Sequence, residues 1–70
     1  MDVRFYATRD ADGTLKIADH KLVKFNMKRY KKWVDFQRII PQFMEISSSF
    51  LPEVKWEDEE PTELILTVKR

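Results

Sequence analysis

Apolar and polar residues alternate near both ends of the chain, and this period of two is typical of half-buried β-strands. At the beginning, residues 3–8 and 14–18 alternate around a polar loop. Near the end, residues 53–57 alternate briefly and residues 63–69 form a run rich in Leu, Ile, Thr and Val. A polar turn over residues 58–61 lies between them. The pattern therefore predicts one β-hairpin at each end of the chain.

The loop of the first hairpin follows from the faces of its two strands. A three-residue loop over residues 11–13 pairs Ile17 with Ala7, which places the apolar residues of both strands on one face. A two-residue loop divides the same residues between two faces. Asp10 suits the first position of a type I turn, and Gly13 supplies the left-handed residue that closes such loops. The three-residue loop is therefore predicted.

Residues 26–40 have a helical period. Their apolar residues fall on one half of a helical wheel and most of their cations fall on the other, which predicts an amphipathic helix. Asn26 is a suitable N-cap, whereas Arg29 falls inside the apolar half. The apolar half, expected to pack in the core, comprises Met27, Tyr30, Trp33, Val34, Phe36 and Ile40.

Pro41 interrupts this helix, because proline removes a backbone hydrogen bond and clashes with the preceding turn. The helical spacing continues from Phe43 to Phe50, so two alternatives are open: a kink, or a new short helix with Pro41 in its first turn. Pro52 ends the helical pattern. Residues 19–25 fit either a short strand or a lead-in to the helix, and an extended connection is favoured.

Together these elements predict a single α+β domain spanning residues 1–70. A length of 70 residues allows one domain at most. The predicted order is β-β-α-α-β-β, with the two hairpins forming one antiparallel sheet of about four strands and the kinked amphipathic helix packed across one face, which buries all the apolar stripes.

The charges are segregated, although 13 Lys and Arg residues nearly balance 12 Asp and Glu residues. Residues 16–38 carry a net charge of +6 and residues 39–63 a net charge of −6. Such asymmetry indicates a charged partner or self-complementarity. The acidic run over residues 57–60 is interpreted as a solvated turn. Its alternatives are neutralisation of the basic helix and mimicry of a phosphate backbone.

The basic face of the helix is the candidate nucleic-acid interface, because cations on a solvated face can follow a phosphate backbone without reading its sequence. The ordinary alternative is a solvated face whose cations pair with Asp35. On the first hairpin, an outward row mixes cations with one ring, which suits base stacking or an interface with another chain. The candidate residues are Lys28, Lys31, Lys32 and Arg38 on the helix, Lys24 just before it, and Arg4, Tyr6 and Lys16 on the hairpin.

No motif for catalysis, metal binding or cofactor binding is present in the sequence. The chain has no Cys and one Gly, which excludes disulfides, thiolate zinc sites and glycine-rich phosphate loops. His20 follows Asp19, but adjacent side chains do not usually face each other, so His20 is expected to be an exposed linker residue. We therefore predict no catalytic residue, no metal and no cofactor.

The N-terminal segment alternates rather than forming an uninterrupted apolar stretch, so no signal peptide is expected. The longest apolar run, residues 64–66, is far short of the roughly 20 residues that a membrane helix needs. A cytoplasmic location without a membrane partner is the resulting expectation.

Two functional hypotheses follow for a small, non-enzymatic intracellular binding protein. The first is a nucleic-acid-binding accessory protein that contacts a DNA or RNA backbone. The second is a protein-interaction module: a homodimer through sheet edges, or an adaptor or inhibitor of a larger enzyme, of a size that suits a phage or mobile-element gene.

Overall fold

The computed structural model describes residues 2–35 and 43–67, and within these ranges the protein is an all-β domain of antiparallel strands. Four strands form a sheet in the order β5-β2-β1-β6, and the other two form a separate hairpin, β3-β4. The strands are β1 (Asp2–Arg9), β2 (Leu15–Ala18), β3 (Val23–Met27), β4 (Tyr30–Val34), β5 (Met44–Ile46) and β6 (Thr62–Thr67).

The predicted α+β fold is wrong, because no helix occurs in the described residues. The first part of the predicted helix, from Asn26 onward, belongs to the β3-β4 hairpin. Residues 43–51, predicted as a second helical segment, form β5 and the turns after it, and the remainder of the predicted helix lies outside the described residues. The helical period was misleading because Met27, Tyr30 and Val34, which share one side of the helical wheel, also share one face of the hairpin.

The predicted register of the first hairpin is confirmed. Ala7 pairs with Ile17, and Arg9 pairs with Leu15. The Gly13 N–H donates to the Asp10 carbonyl at 3.0 Å, as a type I turn requires, and Gly13 has a φ of 95°. Local turn chemistry and the alternation of faces therefore suffice to define this hairpin.

The predicted second hairpin is wrong in its pairing. The strand predicted over residues 63–69 exists as β6, but residues 53–57 form turns rather than a partner strand. β6 instead pairs with β1, where Phe5 lies opposite Leu64, and β5 pairs with β2, where Leu15 lies opposite Ile46. Residues 47–54 thus cross one face of the sheet rather than extending it.

That face holds the first core cluster, which contains Ala7 and Leu15 from the sheet and Val54 from the crossing segment. Arg9 fixes the segment in place. Its five guanidinium N–H groups donate to five backbone carbonyls at 2.7–3.1 Å, those of Gly13, Ser48, Phe50, Leu51 and Val54. Because a guanidinium has five donors in a rigid fork, Arg9 is fully satisfied by the crossing segment and the hairpin loop.

The β3-β4 hairpin packs on the opposite face of the sheet. A second core cluster joins Ala18, Leu22 and Trp33, with Phe43 and Trp56 packed against it. This is the face that the sequence suggested as an outward row. The suggestion is wrong for Lys16, which is 5% exposed, and the neighbouring Thr8 is also buried.

A buried ion pair connects the sheet to the hairpin. The Lys16 Nζ lies 2.9 Å from the Asp10 Oδ2 and donates to the Trp33 carbonyl at 2.9 Å. The Asp10 Oδ1 accepts the Trp33 backbone N–H at 2.9 Å. The Ala11 N–H donates to the Lys31 carbonyl at 3.3 Å. The polar groups at this edge of β4 are thereby satisfied by the β1-β2 hairpin, as burial requires.

Candidate nucleic-acid interface

The β3-β4 hairpin ends in a two-residue turn made of Lys28 and Arg29, and Met27 lies opposite Tyr30 at its base. Among the described residues, the only non-glycine residue with positive φ is Leu51. The turn is therefore not one of the primed types that two-residue hairpins prefer. It places two adjacent cations at the end of the ribbon.

Four cations form the exposed end of this hairpin, and we call them the tip cations: Lys28, Arg29, Lys31 and Lys32. Residues 21–34 contain no acidic residue. In the described part of the chain, the ion pairs engage Arg4, Lys16 and His20 but none of the tip cations. Lys32 lies near the Tyr30 ring, with its Nζ 5.8 Å from the ring centroid. The hairpin therefore presents a concentrated positive charge to solvent.

Arg29 is the functional candidate that the sequence did not identify. Its position in the apolar half of a helical wheel depended on a helix that does not form, and in the hairpin it occupies the exposed turn. Tyr30, expected in the core, is 44% exposed, whereas Trp33, also expected there, is 2% exposed and buried as predicted.

Lys24 is not available to a phosphate, although it was a candidate. Its ammonium donates to the backbone carbonyls of Trp56 and Asp58 and lies 4.3 Å from the centroid of the Trp56 ring. Lys55 and Asp58 close the same turn, since the Asp58 carboxylate accepts the Lys55 N–H at 3.0 Å. Lys24 therefore holds the 55–58 turn against the hairpin.

The candidates on the first hairpin do not form a common surface. Lys16 is buried in its ion pair with Asp10. Arg4 pairs with Glu63 at 2.8 Å near the edge of the sheet, and Tyr6 is half-buried with the Lys21 Nζ 5.9 Å from its ring centroid. Arg38, the remaining candidate, lies outside the described residues. The structure thus brings together Lys28, Lys31 and Lys32 with Arg29.

The outward face of the hairpin carries aromatic side chains beside these cations. Phe25 lies opposite Lys32 in the pairing, and its ring meets Tyr30 edge-on with centroids 5.9 Å apart. An open cavity of about 380 Å³ adjoins this face. Its walls include Phe25, Tyr30, Lys32, Trp33, Phe43 and the buried Lys16.

His20 is not the exposed linker residue that the sequence suggested. Its Nδ1 lies 2.7 Å from the Asp19 carboxylate, and its Nε2 lies 3.0 Å from the carboxylate of Asp35, whose side chain is fully buried. The expectation that Asp19 and His20 do not face each other is therefore wrong. These contacts tie the β2-β3 connection to the end of β4. The described residues contain no group of three or more metal-ligating side chains.

Comparisons with protein-family models, curated proteins and solved structures find no match to the chain. In the ranges that the structure describes, no helical segment has the length and apolar character needed to cross a membrane.

Proposed function

We propose that this protein binds nucleic acid through the tip cations of the β3-β4 hairpin. One observation carries the proposal: four exposed cations occupy one hairpin end, and none forms a salt bridge among the described residues. A structural role is better served by pairing, as the buried Lys16 illustrates. Phosphate groups are the partners that supply dense negative charge in a regular row.

The shape of the hairpin suits this role. A two-stranded β-ribbon is narrow enough to enter the major groove of duplex DNA or to lie along a single strand. Lys31 and Lys32 are adjacent in β4, so their side chains leave opposite faces of the ribbon. Together with the turn residues Lys28 and Arg29, they present charge in several directions. Such contacts position a backbone without reading its sequence.

The test is the affinity of the protein for short DNA and RNA strands, measured by fluorescence anisotropy at low salt. We expect reversal of charge at three tip positions, Lys28→Glu, Lys31→Glu and Lys32→Glu together, to reduce affinity by at least about 100-fold. Each phosphate contact that is lost means that binding releases fewer counterions from the nucleic acid. The matched control is Lys55→Glu, at an exposed lysine outside the hairpin.

The control variant should bind within about threefold of the wild type, since one distant surface charge contributes little at moderate salt. Absence of binding by the wild-type protein at low salt would remove the proposal. Equal losses in the single variants Lys31→Glu and Lys55→Glu, which change the net charge equally, would also contradict it, because binding would then follow net charge rather than the hairpin.

A second candidate function is self-association through β6, supported by a separate observation. Among the described strands β6 pairs only with β1, and on this edge strand Ile65 is 59% and Leu66 58% exposed. An antiparallel second copy centred on Ile65 places Leu64 of each chain opposite Leu66 of the other, so the central pairs are apolar, and Glu63 lies opposite Thr67 on either side of them. Strand addition at an open edge is a common mode of association.

Sedimentation across about a hundredfold range of concentration tests the second candidate. A dimer should dissociate in the variant Ile65→Lys, because a lysine on an edge strand opposes strand pairing. Val23→Lys, at an exposed position of β3, is the control and should leave association unchanged. A monomeric wild type at every concentration would eliminate the homodimer.

A further inference from the structure

From the cavity beside the tip cations we infer that the protein takes up an unstacked nucleobase, and hence prefers single-stranded to duplex nucleic acid. This inference rests on the proposed function and identifies the form of nucleic acid that the same surface binds. The cavity measures about 380 Å³ and opens next to Lys32. Its volume falls in the range of roughly 300–1,000 Å³ that is typical of small-molecule sites.

The walls of the cavity have the chemistry that a base requires. Four of the lining residues are aromatic: Phe25, Tyr30, Trp33 and Phe43. A planar base stacks on an exposed ring whatever its identity, because every base has a π-face, and of these four rings Tyr30 is exposed whereas Trp33 is buried. Tyr30 is partly exposed and lies next to the Lys32 ammonium. A strand whose phosphate contacts Lys32 therefore has a ring within reach of the adjacent base.

The walls are also held in place before any ligand arrives. The Lys16 ammonium lies 4.6 Å from the centroid of the Phe43 ring and donates to the Trp33 carbonyl. The Asp10 carboxylate accepts the Trp33 N–H, so the backbone of this residue is fixed on both sides. A preorganised site binds more tightly, because less side-chain freedom is lost on binding.

The cations next to the cavity favour a nucleic acid over other planar ligands. Lys32 belongs both to the cavity wall and to the tip cations. The turn residues Lys28 and Arg29 continue the positive charge from Lys32 toward the end of the hairpin, and Lys31 adds charge on the other face of the ribbon. A ligand that satisfies both features has planar rings attached to a chain of negative charges. In a duplex those rings are stacked inside, so entry requires an unpaired base.

The experiment compares two single-stranded DNA oligonucleotides of equal length and charge, one with bases and one built from abasic residues. We expect the strand with bases to bind at least about tenfold more tightly, and the corresponding duplex to bind more weakly than the strand with bases. Tyr30→Ala should remove most of this difference and Tyr30→Phe should preserve it. Phe50→Ala, at an exposed ring outside the cavity, is the matched control and should retain the full difference.

Equal affinities of the wild type for the abasic strand and the strand with bases would overturn the inference, while salt-dependent binding of both would leave the proposed function intact. Tighter binding of the duplex would overturn it as well. If neither strand binds at low salt, the inference and the proposed function fall together.

Discussion

The packed interior and the tip of the β3-β4 hairpin use their cations in opposite ways. Arg9, Lys16 and Lys24 each donate to backbone carbonyls, and Lys16 also pairs with Asp10. We call these three the structural cations. The tip cations have no ion-pair partner in the described residues. The structural cations attach distant segments of backbone to one another, whereas the exposed tip cations make no such contact and are accessible to a charged partner.

The largest effect is expected at the buried ion pair. Lys16→Met leaves the Asp10 Oδ2 and the Trp33 carbonyl without a donor, and should lower the free energy of unfolding by about 3–5 kcal/mol, measured by urea denaturation. The double variant Asp10→Asn, Lys16→Met should be less destabilised than the sum of the two single variants. A loss below about 1 kcal/mol for Lys16→Met would contradict the role of this pair in attaching the hairpin.

A smaller loss is expected when the guanidinium of Arg9 is replaced. Arg9→Lys retains the charge but cannot reach the same five carbonyls, so it should cost about 2 kcal/mol and expose residues 47–58 to limited proteolysis. Arg4→Lys is the control, because its exposed pair with Glu63 contributes little. Equal proteolysis of the two variants would argue against the role of Arg9.

Thr8→Val should raise stability. The Thr8 hydroxyl is buried and has no hydrogen-bond partner in the part of the chain that the structure describes. Valine has the same shape and no polar group to desolvate, so the urea midpoint should rise by an amount equivalent to about 1 kcal/mol. Thr67→Val, which removes an exposed hydrogen bond to Asp2, should give no such gain.

Neutralising the tip should hardly change stability. Lys28→Gln, Lys31→Gln and Lys32→Gln together should shift the free energy of unfolding by less than about 0.5 kcal/mol, since exposed side chains outside the core contribute little. Thermal unfolding followed by circular dichroism measures the effect. A large loss would mean that the tip cations are structural after all.

The smallest effect concerns the loop of the first hairpin. The Thr14 backbone N–H donates to the Asp12 carboxylate at 3.0 Å and holds the pKa of Asp12 below its ordinary value of 3.8. Since the folded pKa is depressed, the carboxylate stabilises the fold above the ordinary value, and this contribution disappears as the pH falls through the folded pKa. Urea midpoints of the wild type and Asp12→Asn should therefore differ slightly at pH 6 and converge near pH 2.

The first hairpin and β6 were predictable because the information for them is local. Gly13 and Asp10 specify the loop, and the alternation of apolar and polar residues specifies the register, because the apolar residues of both strands must share one face. The β3-β4 hairpin was not predictable in the same way. Its turn residues, Lys28 and Arg29, carry no turn signal, and its outer edge is satisfied by Asp10, 23 positions before Trp33.

The candidate site was predicted only in part for the same physical reason. The sequence locates a group of cations, but it does not reveal which of them reach an acceptor elsewhere. Lys24 bonds to carbonyls of a turn 32 and 34 positions away, and Lys16 is buried under Trp33. Such long-range contacts distinguish the structural cations from the tip cations. These contacts cannot be predicted from the alternation of residues along the strands.

The most direct test of this separation is to neutralise the structural cations and the tip cations one at a time, and to measure two properties of each variant. One is the urea midpoint, and the other is the slope of log affinity for a single-stranded oligonucleotide against log salt concentration. Each tip variant should reduce the slope by about 0.7 and leave the midpoint unchanged, whereas each structural variant should lower the midpoint and leave the slope unchanged. Tip and structural variants that changed both properties alike would contradict the account.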